Sequence, residues 1–281
     1  MSAMNELTGK VAVITGAGSG LGRELSLLCA QADMRLALAD VDAQGLAETV
    51  ALLPDGTEQF TRQVDVSKAE AVQALCDATY DNYGAAHLVF NNAGVAVSGP
   101  TWTSTLDDWN WVLGVNLMGV VHGVKSFVPR MLESGEPGHI VNTASLAGLS
   151  SVPGSSVYCV SKHGVVTLSE CLHHELQAAG GAIGVSVLCP AFFKTGIADS
   201  ERNRPAEYAD ANPQGEEYAK FVKAAIEAGR LSAADIAQVT MEAVRDGRFY
   251  ILPHGGAVRQ VETRMQDILE QRAPTNPLGT R

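Results

Sequence analysis

Residues 11–31 read VAVITGAGSGLGRELSLLCAQ, and this stretch decides the fold. A short β-branched run leads into the glycine cluster TGAGSGLG, after which apolar residues recur with helical spacing. Gly16, Gly20 and Gly22 allow the chain to turn sharply and to approach a phosphate closely, and the start of the next helix offers free N–H groups to that phosphate. A strand, a glycine-rich turn and a helix in this order predict a nucleotide-binding site.

The alternation of strand and helix continues along most of the chain. Apolar runs predict seven strands at 11–15, 35–39, 59–66, 87–91, 139–145, 184–189 and 249–252. Helical periodicity is found near 21–32, 43–52, 68–83, 106–133 and 158–179. Repeated βαβ units of this kind predict a Rossmann-type α/β fold, in which a doubly wound parallel sheet of seven strands is the middle of three α/β/α layers.

The expected domain organisation follows from where this regularity holds. No Pro/Gly/Ser-rich linker interrupts residues 5–190, so we expect a single dinucleotide-binding and catalytic domain over residues 1–281. The pattern loosens at about 191–231, and a loop of that length is typically a lid or a binding loop, here for the substrate. A further helical pattern lies in the C-terminal extension at about 253–281, which we expect to pack on its own subunit or on a partner subunit.

The composition argues against several classes of protein. The 281 residues include 20 Lys+Arg and 31 Asp+Glu, and the net charge of −11 argues against a nucleic-acid binder. Five scattered cysteines without a CxxC pair, and the lack of an HExxH pattern, predict neither disulfides nor a metal site and fit a reducing cytoplasm. The N-terminus lacks the apolar core of a secretory signal, and no stretch approaches the roughly 20 apolar residues that span a bilayer. We therefore expect a cytoplasmic protein without membrane association.

An acidic residue ends the second predicted strand. Asp40 lies 18 residues after Gly22, and an acid at about this distance typically holds the ribose hydroxyls of an adenosine. Its carboxylate repels a 2′-phosphate, and neither the residues after it nor Ser19 in the glycine loop supplies a cation, so NAD is favoured over NADP. The sequence leaves open the alternative that Asp40 simply caps the next helix.

Two further segments end predicted strands at the same edge of the sheet. Asp65 and Val66 can contact the adenine, although a solvated turn explains Asp65 almost as well. The sequence NNAG at 91–94 keeps the edge open through its small residues, at the place where open α/β sheets bind their ligands. We expect cofactor contacts from this segment, with Asn91 tying neighbouring strands through its amide.

A tyrosine and a lysine share one face of a predicted helix. Tyr158 and Lys162 are four residues apart, so their side chains can meet at one site. A free tyrosine has a pKa near 10, and a nearby cation lowers it, which would make Tyr158 a general acid/base. Ser145, at the end of the fifth predicted strand, can hydrogen-bond the reacting oxygen. Asn116 lies in an apolar helical segment, where its side chain either faces the site or needs a buried partner.

These residues together make the sequence resemble the short-chain dehydrogenase/reductase family, of the compact single-domain type. The resemblance covers about residues 7–252 and rests on TGAGSGLG, Asp40, the Asp65-Val66 pair, NNAG, Asn116, Ser145, the Tyr158/Lys162 pair, and Pro190 followed by Thr195. It implies an NAD-dependent alcohol dehydrogenase or ketoreductase. Members of the family usually associate through the helices that are 106–133 and 158–179 here, which implies a homodimer or a homotetramer.

The resemblance also implies roles for the matched residues. Tyr158 would be the acid/base, and Lys162 would lower its pKa and hold the nicotinamide ribose. Ser145 would position the substrate oxygen and Asn116 would support a water relay. The expected cofactor contacts are Gly16, Ser19, Gly20, Leu21, Gly22, Asp40, Asp65, Val66, Asn92, Ala93, Gly94, Tyr158, Lys162, Pro190 and Thr195. The chain departs from the family pattern at Ala191, where a glycine is common, and in its continuation past the seventh strand.

The substrate pocket is expected to be apolar and partly aromatic. Its predicted contacts are Ser145, Leu146, Val152, Tyr158, Phe192 and Phe193. Such a wall favours a hydrophobic or aryl secondary alcohol and its ketone, although aromatic residues in a loop often pack the loop itself. Two other functions stay open. One is an NADP-dependent 3-oxoacyl thioester reductase, which Asp40 disfavours. The other is a non-catalytic NAD-sensing protein, which the presence of all four residues Asn116, Ser145, Tyr158 and Lys162 disfavours.

Overall fold

Seven parallel strands form one sheet in the computed structural model, which describes Met4 and residues 6–279. The strands are β1 (Val11–Thr15), β2 (Arg35–Asp40), β3 (Gln59–Gln63), β4 (Leu88–Asn91), β5 (Gly138–Thr143), β6 (Ile183–Leu188) and β7 (Tyr250–Ile251). Their order across the sheet is β3-β2-β1-β4-β5-β6-β7, and every neighbouring pair is parallel. This is the doubly wound Rossmann arrangement that the alternation of strands and helices predicts.

Helices connect the strands and cover both faces of the sheet. They are α1 (Gly20–Gln31), α2 (Ala43–Ala51), α3 (Ala69–Tyr83), α4 (Leu106–Leu113), α5 (Gly119–Ser134), α6 (Ser156–Ala178), α7 (Gly215–Glu227), α8 (Ala233–Asp246) and α9 (Ala257–Leu269). Side chains on one strand alternate between the faces, so Ile14 packs with α1 and α8 while Val13 packs with α3, α5 and α6. The sheet is therefore the middle of three layers, and both of its faces are buried.

The strand order reverses between β1 and β4. From β1 the chain winds outward through β2 and β3, and from β4 it winds in the other direction through β5, β6 and β7. The segments that follow β1 and β4, the glycine loop and NNAG, therefore lie side by side at the carboxyl edge of the sheet. Open α/β sheets bind ligands at this kind of switch point.

Several of the predicted strands are shorter in the structure. β3 ends before residue 66 because the Asp65 carboxylate accepts hydrogen bonds from the amide and the hydroxyl of Ser67, at 2.9 and 2.7 Å, and turns the chain. β5 ends before Ser145, whose hydroxyl accepts a hydrogen bond from the Ala147 amide at 3.1 Å in the short helix Leu146–Gly148. β7 keeps two of its four predicted residues. Ser145 thus follows the strand rather than ending it.

The helix predicted over 106–133 is continuous but contains a wider turn. α4 passes through the π-helical turn Gly114–Met118 into α5. Asn116 lies in this turn and is fully buried. Single π-helical turns within α-helices are often found at functional sites.

The same helical run also corrects the expectation that no segment approaches the length of a membrane span. Leu106–Ser134 has 29 residues and a mean hydropathy of 1.3 in its most apolar window, which is long and apolar enough by composition to cross a bilayer. Within the fold, 44% of that window is buried, and α5 packs against α3. This packing accounts for part of the apolar composition.

The two regions that lacked a clear sequence pattern contain helices of their own. After β6, the short helices Gly196–Asn203 and Ala206–Tyr208 precede α7, and these elements make up the expected lid. After β7, α9 occupies the C-terminal extension. Both regions reach the carboxyl edge of the sheet, where they complete the candidate site.

Candidate active site

A cleft of about 300 Å³ at the carboxyl edge of the sheet brings the predicted site residues together. All of them line it except Gly22 and Asn116, which lie behind its wall. Its carboxylates, Asp40, Asp42 and Asp65, all follow β2 and β3, at one end of the cleft. The other end, near Tyr158, is mainly apolar. The cleft thus has an acidic end and an apolar end, as a dinucleotide with an uncharged substrate would require.

The glycine loop after β1 is packed too closely for side chains at two positions. A Cβ on Gly22 would lie 2.0 Å from the carbonyl oxygen of Gly16, and a Cβ on Gly16 would lie 2.9 Å from the Cα of Ala93. Gly20 has a φ of +49°, in the left-handed region that favours glycine. The loop therefore leaves the N-terminus of α1 open to the cleft beside Ser19 and Leu21, and its shape and free N–H groups fit the diphosphate of a dinucleotide.

The carboxylate of Asp40 faces the glycine loop. It accepts hydrogen bonds from the amides of Gly18 at 2.8 Å and of Asp42 at 3.0 Å. The cap of α2 is Asp42, which accepts from the amides of Gln44 and Gly45 at 3.0 and 3.1 Å. The interpretation of Asp40 as a helix cap is therefore wrong, and its carboxylate lies where an acidic residue would meet an adenosine ribose.

A cation that sequence reasoning missed lies on the far side of the glycine loop. Arg23 donates hydrogen bonds to the Gly18 carbonyl at 2.6 Å, to the Glu48 carboxylate at 3.0 Å and to the Thr49 hydroxyl at 3.0 Å. These partners direct its guanidinium toward α2, and Arg23 is not among the residues that line the cleft. No spacing in the sequence distinguishes this arginine from a surface residue, because two of its three partners, Glu48 and Thr49, come from another helix.

The NNAG segment after β4 connects three strand ends. The Asn92 side chain donates to the Thr15 carbonyl at 3.0 Å and accepts from the Thr143 hydroxyl at 3.3 Å. Asn91 donates to Asn142 on the neighbouring strand at 2.9 Å, as its amide chemistry predicts. Ala93 and Gly94 line the cleft beside them. The amide network keeps this part of the wall rigid while the small residues leave it open.

Tyr158, Lys162 and Ser145 meet on the floor of the cleft. Tyr158 and Lys162 lie on successive turns of α6, and the Lys162 Nζ atom is 5.6 Å from the centroid of the Tyr158 ring. Lys162 is 2% exposed and donates a hydrogen bond to the Thr143 carbonyl at 2.8 Å. Ser145 donates to the Pro190 carbonyl at 3.3 Å. The phenol, the ammonium group and the hydroxyl therefore share one site, as the spacing on α6 and the end of β5 predicted.

The protonation states at this site differ from the sequence expectation. Burial raises the pKa of Tyr158 to about 12, and the hydrogen bond with Ser145 acts in the opposite direction. Burial also lowers the pKa of Lys162 to about 8. The expectation that Lys162 lowers the pKa of Tyr158 is wrong for this state of the protein, because burial raises that pKa and the ammonium group points to the Thr143 carbonyl. The phenol is protonated at neutral pH, which is the form that donates a proton to a ketone.

Asn116 acts on the wall of the cleft from behind. Its side-chain oxygen accepts from the Val95 amide at 2.8 Å, and its nitrogen donates to the Val95 carbonyl at 2.9 Å and to the Ser161 hydroxyl at 3.1 Å. A Cβ on Gly94 would lie 3.4 Å from the Asn116 oxygen and 3.5 Å from Lys162 Nζ, so Gly94 separates the two polar groups. The π-helical turn thus holds the chain after β4 in place beside the lysine.

The segment after β6 forms the side of the cleft that faces the glycine loop. The Pro190 carbonyl accepts hydrogen bonds from the Ser145 hydroxyl and the Leu146 amide, and the Thr195 hydroxyl oxygen would lie 3.0 Å from a Cβ on Gly20. Thr195 is therefore in contact distance of the loop that fits the diphosphate. Ala191 replaces the common glycine without a positive φ, since among the described non-glycine residues only Asp33 and Gln271 have one.

The substrate end of the cleft contains the predicted apolar wall and further residues that sequence reasoning missed. Leu146, Val152, Phe192 and Phe193 line it as predicted. The Val152 amide donates to Cys159 Sγ at 3.4 Å, which gives this buried thiol a structural contact. The additional wall residues include Val222 and Ile226 from α7, Gln260 from α9, and Pro277 and Leu278 from the chain after α9. Their sequence context carries no motif, and only the tertiary fold brings them here.

A buried ion pair fastens the lid to α4. The Arg204 guanidinium donates to Asp108 at 2.7 Å and to Glu201 at 2.6 Å, and its carbon lies 4.5 Å from the Trp111 ring centroid. Asp108 is fully buried, and the Arg204 side chain is 8% exposed. Further along the lid, Tyr218 packs directly on Gly154, where no Cβ would fit. These contacts therefore attach the segment after β6 to α4 and to the loop before α6.

Comparisons with known proteins identify the family. The family model for the short chain dehydrogenase matches residues 10–206. This chain belongs to the short-chain dehydrogenase/reductase family. A family member from Burkholderia phymatum, whose crystal structure is a complex with NAD, is 49% identical, superposes with a TM-score of 0.95, and the match covers 99% of this chain and 100% of that chain. The chain is an oxidoreductase of this family with a Rossmann fold.

Two curated relatives are similar over nearly their whole length. A CLA biosynthesis dehydrogenase/reductase of Lactiplantibacillus plantarum is 34% identical over 278 residues, which are 96% of this chain and 97% of the relative. A C alpha-dehydrogenase of a Sphingobium strain is 34% identical over 282 residues, which are 99% of this chain and 92% of the relative. Both matches include the C-terminal extension, so the similarity is not confined to the nucleotide-binding half.

Proposed function

We propose that the chain is an NAD(H)-dependent oxidoreductase that interconverts a hydrophobic or aryl secondary alcohol and its ketone. The observation that carries this proposal is the meeting of Tyr158, Ser145 and Lys162 in one cleft, between an apolar wall and a glycine loop shaped for a diphosphate. When bound, the nicotinamide supplies the hydride acceptor for oxidation and the hydride donor for reduction. The protein's own residues place the substrate and move the proton.

The proton in the proposed reaction moves at the Tyr158 hydroxyl. In ketone reduction the neutral phenol donates its proton to the developing alkoxide, and in alcohol oxidation the phenolate accepts the carbinol proton. The Ser145 hydroxyl holds the reacting oxygen, and the ammonium group of Lys162 stabilises the phenolate and would hold the nicotinamide ribose. Asn116 keeps the chain beside Lys162 in position and would support a water relay to it. The Thr195 hydroxyl would contact the carboxamide.

NAD is the proposed cofactor in preference to NADP. The Asp40 carboxylate faces the glycine loop, and the other charged groups at that end of the cleft, Asp42 and Asp65, are also acidic. A 2′-phosphate placed there would be repelled by several negative charges. The similar protein from Burkholderia phymatum was crystallised with NAD, which agrees with this preference.

Two other functions make different predictions for this site. An NADP-dependent 3-oxoacyl thioester reductase would need a cation for the 2′-phosphate, and the nearby cation, Arg23, is held by Gly18, Glu48 and Thr49 away from the cleft. A non-catalytic NAD sensor would bind the cofactor without turnover. The proximity of Tyr158, Ser145 and Lys162 favours the enzyme.

The same proposal includes the organisation of the protein. We infer a single domain over residues 1–281, with a substrate lid at about 191–231 and an extension at about 253–281, located in the cytoplasm. A homodimer or homotetramer would form through α4, α5 and α6. Exposed apolar side chains on this run and on α6, Met118, Leu132 and Val160, support an interface there.

The experiment that tests the proposed function is NADH formation by purified protein across a panel of secondary alcohols, from small aliphatic to hydroxysteroid and aryl, with NADP in parallel. NAD-dependent turnover of one hydrophobic class is the expected result. Turnover of 3-hydroxyacyl thioesters with NADP would favour the reductase. NAD binding measured by calorimetry without turnover of any alcohol or ketone would favour the sensor.

A further inference from the structure

The C-terminal extension reaches the substrate end of the cleft through α9. The Ala191 amide donates a hydrogen bond to His254 Nδ1 at 3.1 Å, so the chain that leads into α9 is attached to the segment before Phe192. Gln260, one turn into α9, lines the cleft together with Phe192. The start of α9 is therefore part of the substrate wall, and not only a surface helix.

A buried carboxylate brings the chain after α9 back to the same place. Asp267 is 4% exposed and accepts hydrogen bonds from the Thr275 amide at 2.8 Å, the Arg272 Nε at 2.7 Å and the Thr275 hydroxyl at 3.2 Å. These bonds hold residues 272–275 in a turn. Beyond the turn, Pro277 and Leu278 line the cleft. The extension thus lines the cleft at two places, at Gln260 and at Pro277 with Leu278. The hydrogen bonds of Asp267 hold the second place in position.

Gln260 is a polar residue of the cleft wall. Its side chain is half-buried, and its amide forms no hydrogen bond with any residue in the described chain, Met4 and 6–279. The wall residues from α7 and from the chain after the Asp267 turn, Val222, Ile226, Pro277 and Leu278, are apolar, whereas the segment between them and β6 adds Arg202 and Asn203. An amide without a protein partner in this wall favours a ligand that supplies a hydrogen-bonding group, because a purely apolar ligand would desolvate the amide without compensation.

We propose that Gln260 is a specificity-determining residue that hydrogen-bonds an oxygen substituent at the end of the substrate remote from the reacting carbinol. The apolar body of the substrate would lie between Tyr158 and Gln260, enclosed by Leu278. The substrate class is then a secondary alcohol or ketone with an oxygen-bearing aryl group, rather than a bare hydrocarbon. This inference rests on the proposed function. Its test measures binding and not turnover, so that each of the two can be refuted without the other.

The test compares benzylacetone with its para-hydroxy derivative as ligands for the protein saturated with NAD, with which a ketone cannot be turned over. Calorimetry gives the Kd of each ketone for the wild type, for Gln260→Met and for Gln266→Met. Met keeps the length of the side chain and removes the amide, and Gln266 is an exposed residue of the same helix that does not line the cleft. The wild type and Gln266→Met should bind the hydroxylated ketone about five- to tenfold more tightly, and Gln260→Met should bind the two ketones alike.

A second variant tests the contribution of the chain after α9. Leu278→Ala should weaken the binding of both ketones by a similar factor, about threefold, and leave their ratio unchanged, because it removes apolar contact only. Unchanged affinities in this variant would show that the returning chain is not a wall of the site.

The outcomes separate this inference from the proposed function. Equal affinity of the wild type for the two ketones, failure of either to bind, or an unchanged preference in Gln260→Met would overturn the role of Gln260. Binding of the ketones without oxidation of NADH in a separate turnover assay would instead count against the proposed reaction, since the calorimetric ratio, measured with NAD, does not depend on turnover.

Discussion

Lys162 places an ammonium group in a nearly water-free position. Its side chain is 2% exposed, and its hydrogen bond to the Thr143 carbonyl offsets only part of the lost hydration. Its pKa is consequently lowered from the ordinary 10.5 to about 8. We attribute this cost in stability to the proposed reaction, which requires a positive charge near Tyr158.

Lys162→Met should therefore abolish activity while raising the stability of the fold. Below pH 8 the amine is charged in the folded and the unfolded chain, so its burial cost is fully present, about 3 kcal/mol from the lowered pKa. As the pH rises from 8 to 10.5 the folded chain loses the proton first, so the cost disappears. Urea unfolding at pH 7 and pH 10 should show an advantage of the variant that shrinks with pH. A constant difference, or a less stable variant at pH 7, would refute this account.

Asp40→Ala should relax the preference for NAD. Without the carboxylate the 2′-phosphate of NADP is no longer repelled, and the ratio of kcat/KM for NADP to that for NAD should rise about tenfold or more. Asp42→Ala is the matched control, because Asp42 caps α2, and its loss should cost about 1 kcal/mol of stability and shift the preference much less than Asp40→Ala does. The same ratio in wild type and Asp40→Ala would show that the ribose site was misassigned.

Residues with a fixed spacing to a recognisable element could be predicted from the sequence, and others could not. The Tyr158/Lys162 pair and Asp40 belong to this first group, because helix periodicity and strand ends fix their places. Arg204 and Asp267 belong to the second, since each acts through partners that are distant in sequence or in an irregular segment. The expectation of a lowered Tyr158 pKa is also wrong, because burial raises this pKa and the Lys162 ammonium group points to the Thr143 carbonyl.

At the scale of the secondary-structure elements, a buried ion pair attaches the expected lid to α4. The short helices Gly196–Asn203 and Ala206–Tyr208 are separated by Arg204, which reaches the fully buried Asp108 of α4. An exposed pair, Lys68 with Glu207 at 2.9 Å, adds a weaker tie to the same segment. Loss of the buried pair would leave Asp108 without its cationic partner.

Arg204→Ala should loosen the lid without affecting the nucleotide end of the cleft. Removing one partner of a buried pair typically costs about 3 kcal/mol or more. We expect a raised KM for the alcohol, an unchanged KM for NAD and faster proteolytic cleavage within 191–231. Arg230→Ala, at an exposed arginine of the lid, should behave like the wild type. Equal protease resistance of the two variants would contradict the assignment of Arg204 as the fastening residue.

The sequence predicted which strands and helices exist more accurately than it predicted the residues at which they end. The predicted strands continue to residues 66 and 145, yet Asp65 and Ser145 accept local hydrogen bonds that turn the chain. The π-helical turn at Gly114–Met118 is invisible to periodicity because the apolar pattern continues through it. The hydrogen bond of Ser145 and the π-helical turn that contains Asn116 set the positions of these two residues relative to the cleft.

For the whole molecule, the sheet and its switch point follow from the alternation of strand and helix, and the position of the nucleotide site follows from the fold. The shape of the substrate end does not, because it is assembled from the lid and from a C-terminal chain that returns after the Asp267 turn. Cofactor binding is therefore encoded locally in the sequence, whereas substrate selection depends on long-range packing.

The central claim is that Tyr158 transfers the substrate proton in an NAD-dependent reaction, and one comparison tests it most directly. Turnover of the best alcohol and the Kd of NAD would be measured for wild type, Tyr158→Phe and Tyr250→Phe, the last at an exposed tyrosine outside the cleft. Tyr158→Phe should lose about a thousandfold in kcat while the Kd of NAD changes by less than about threefold, and Tyr250→Phe should keep full activity. A Tyr158→Phe enzyme that retains substantial turnover would contradict the account.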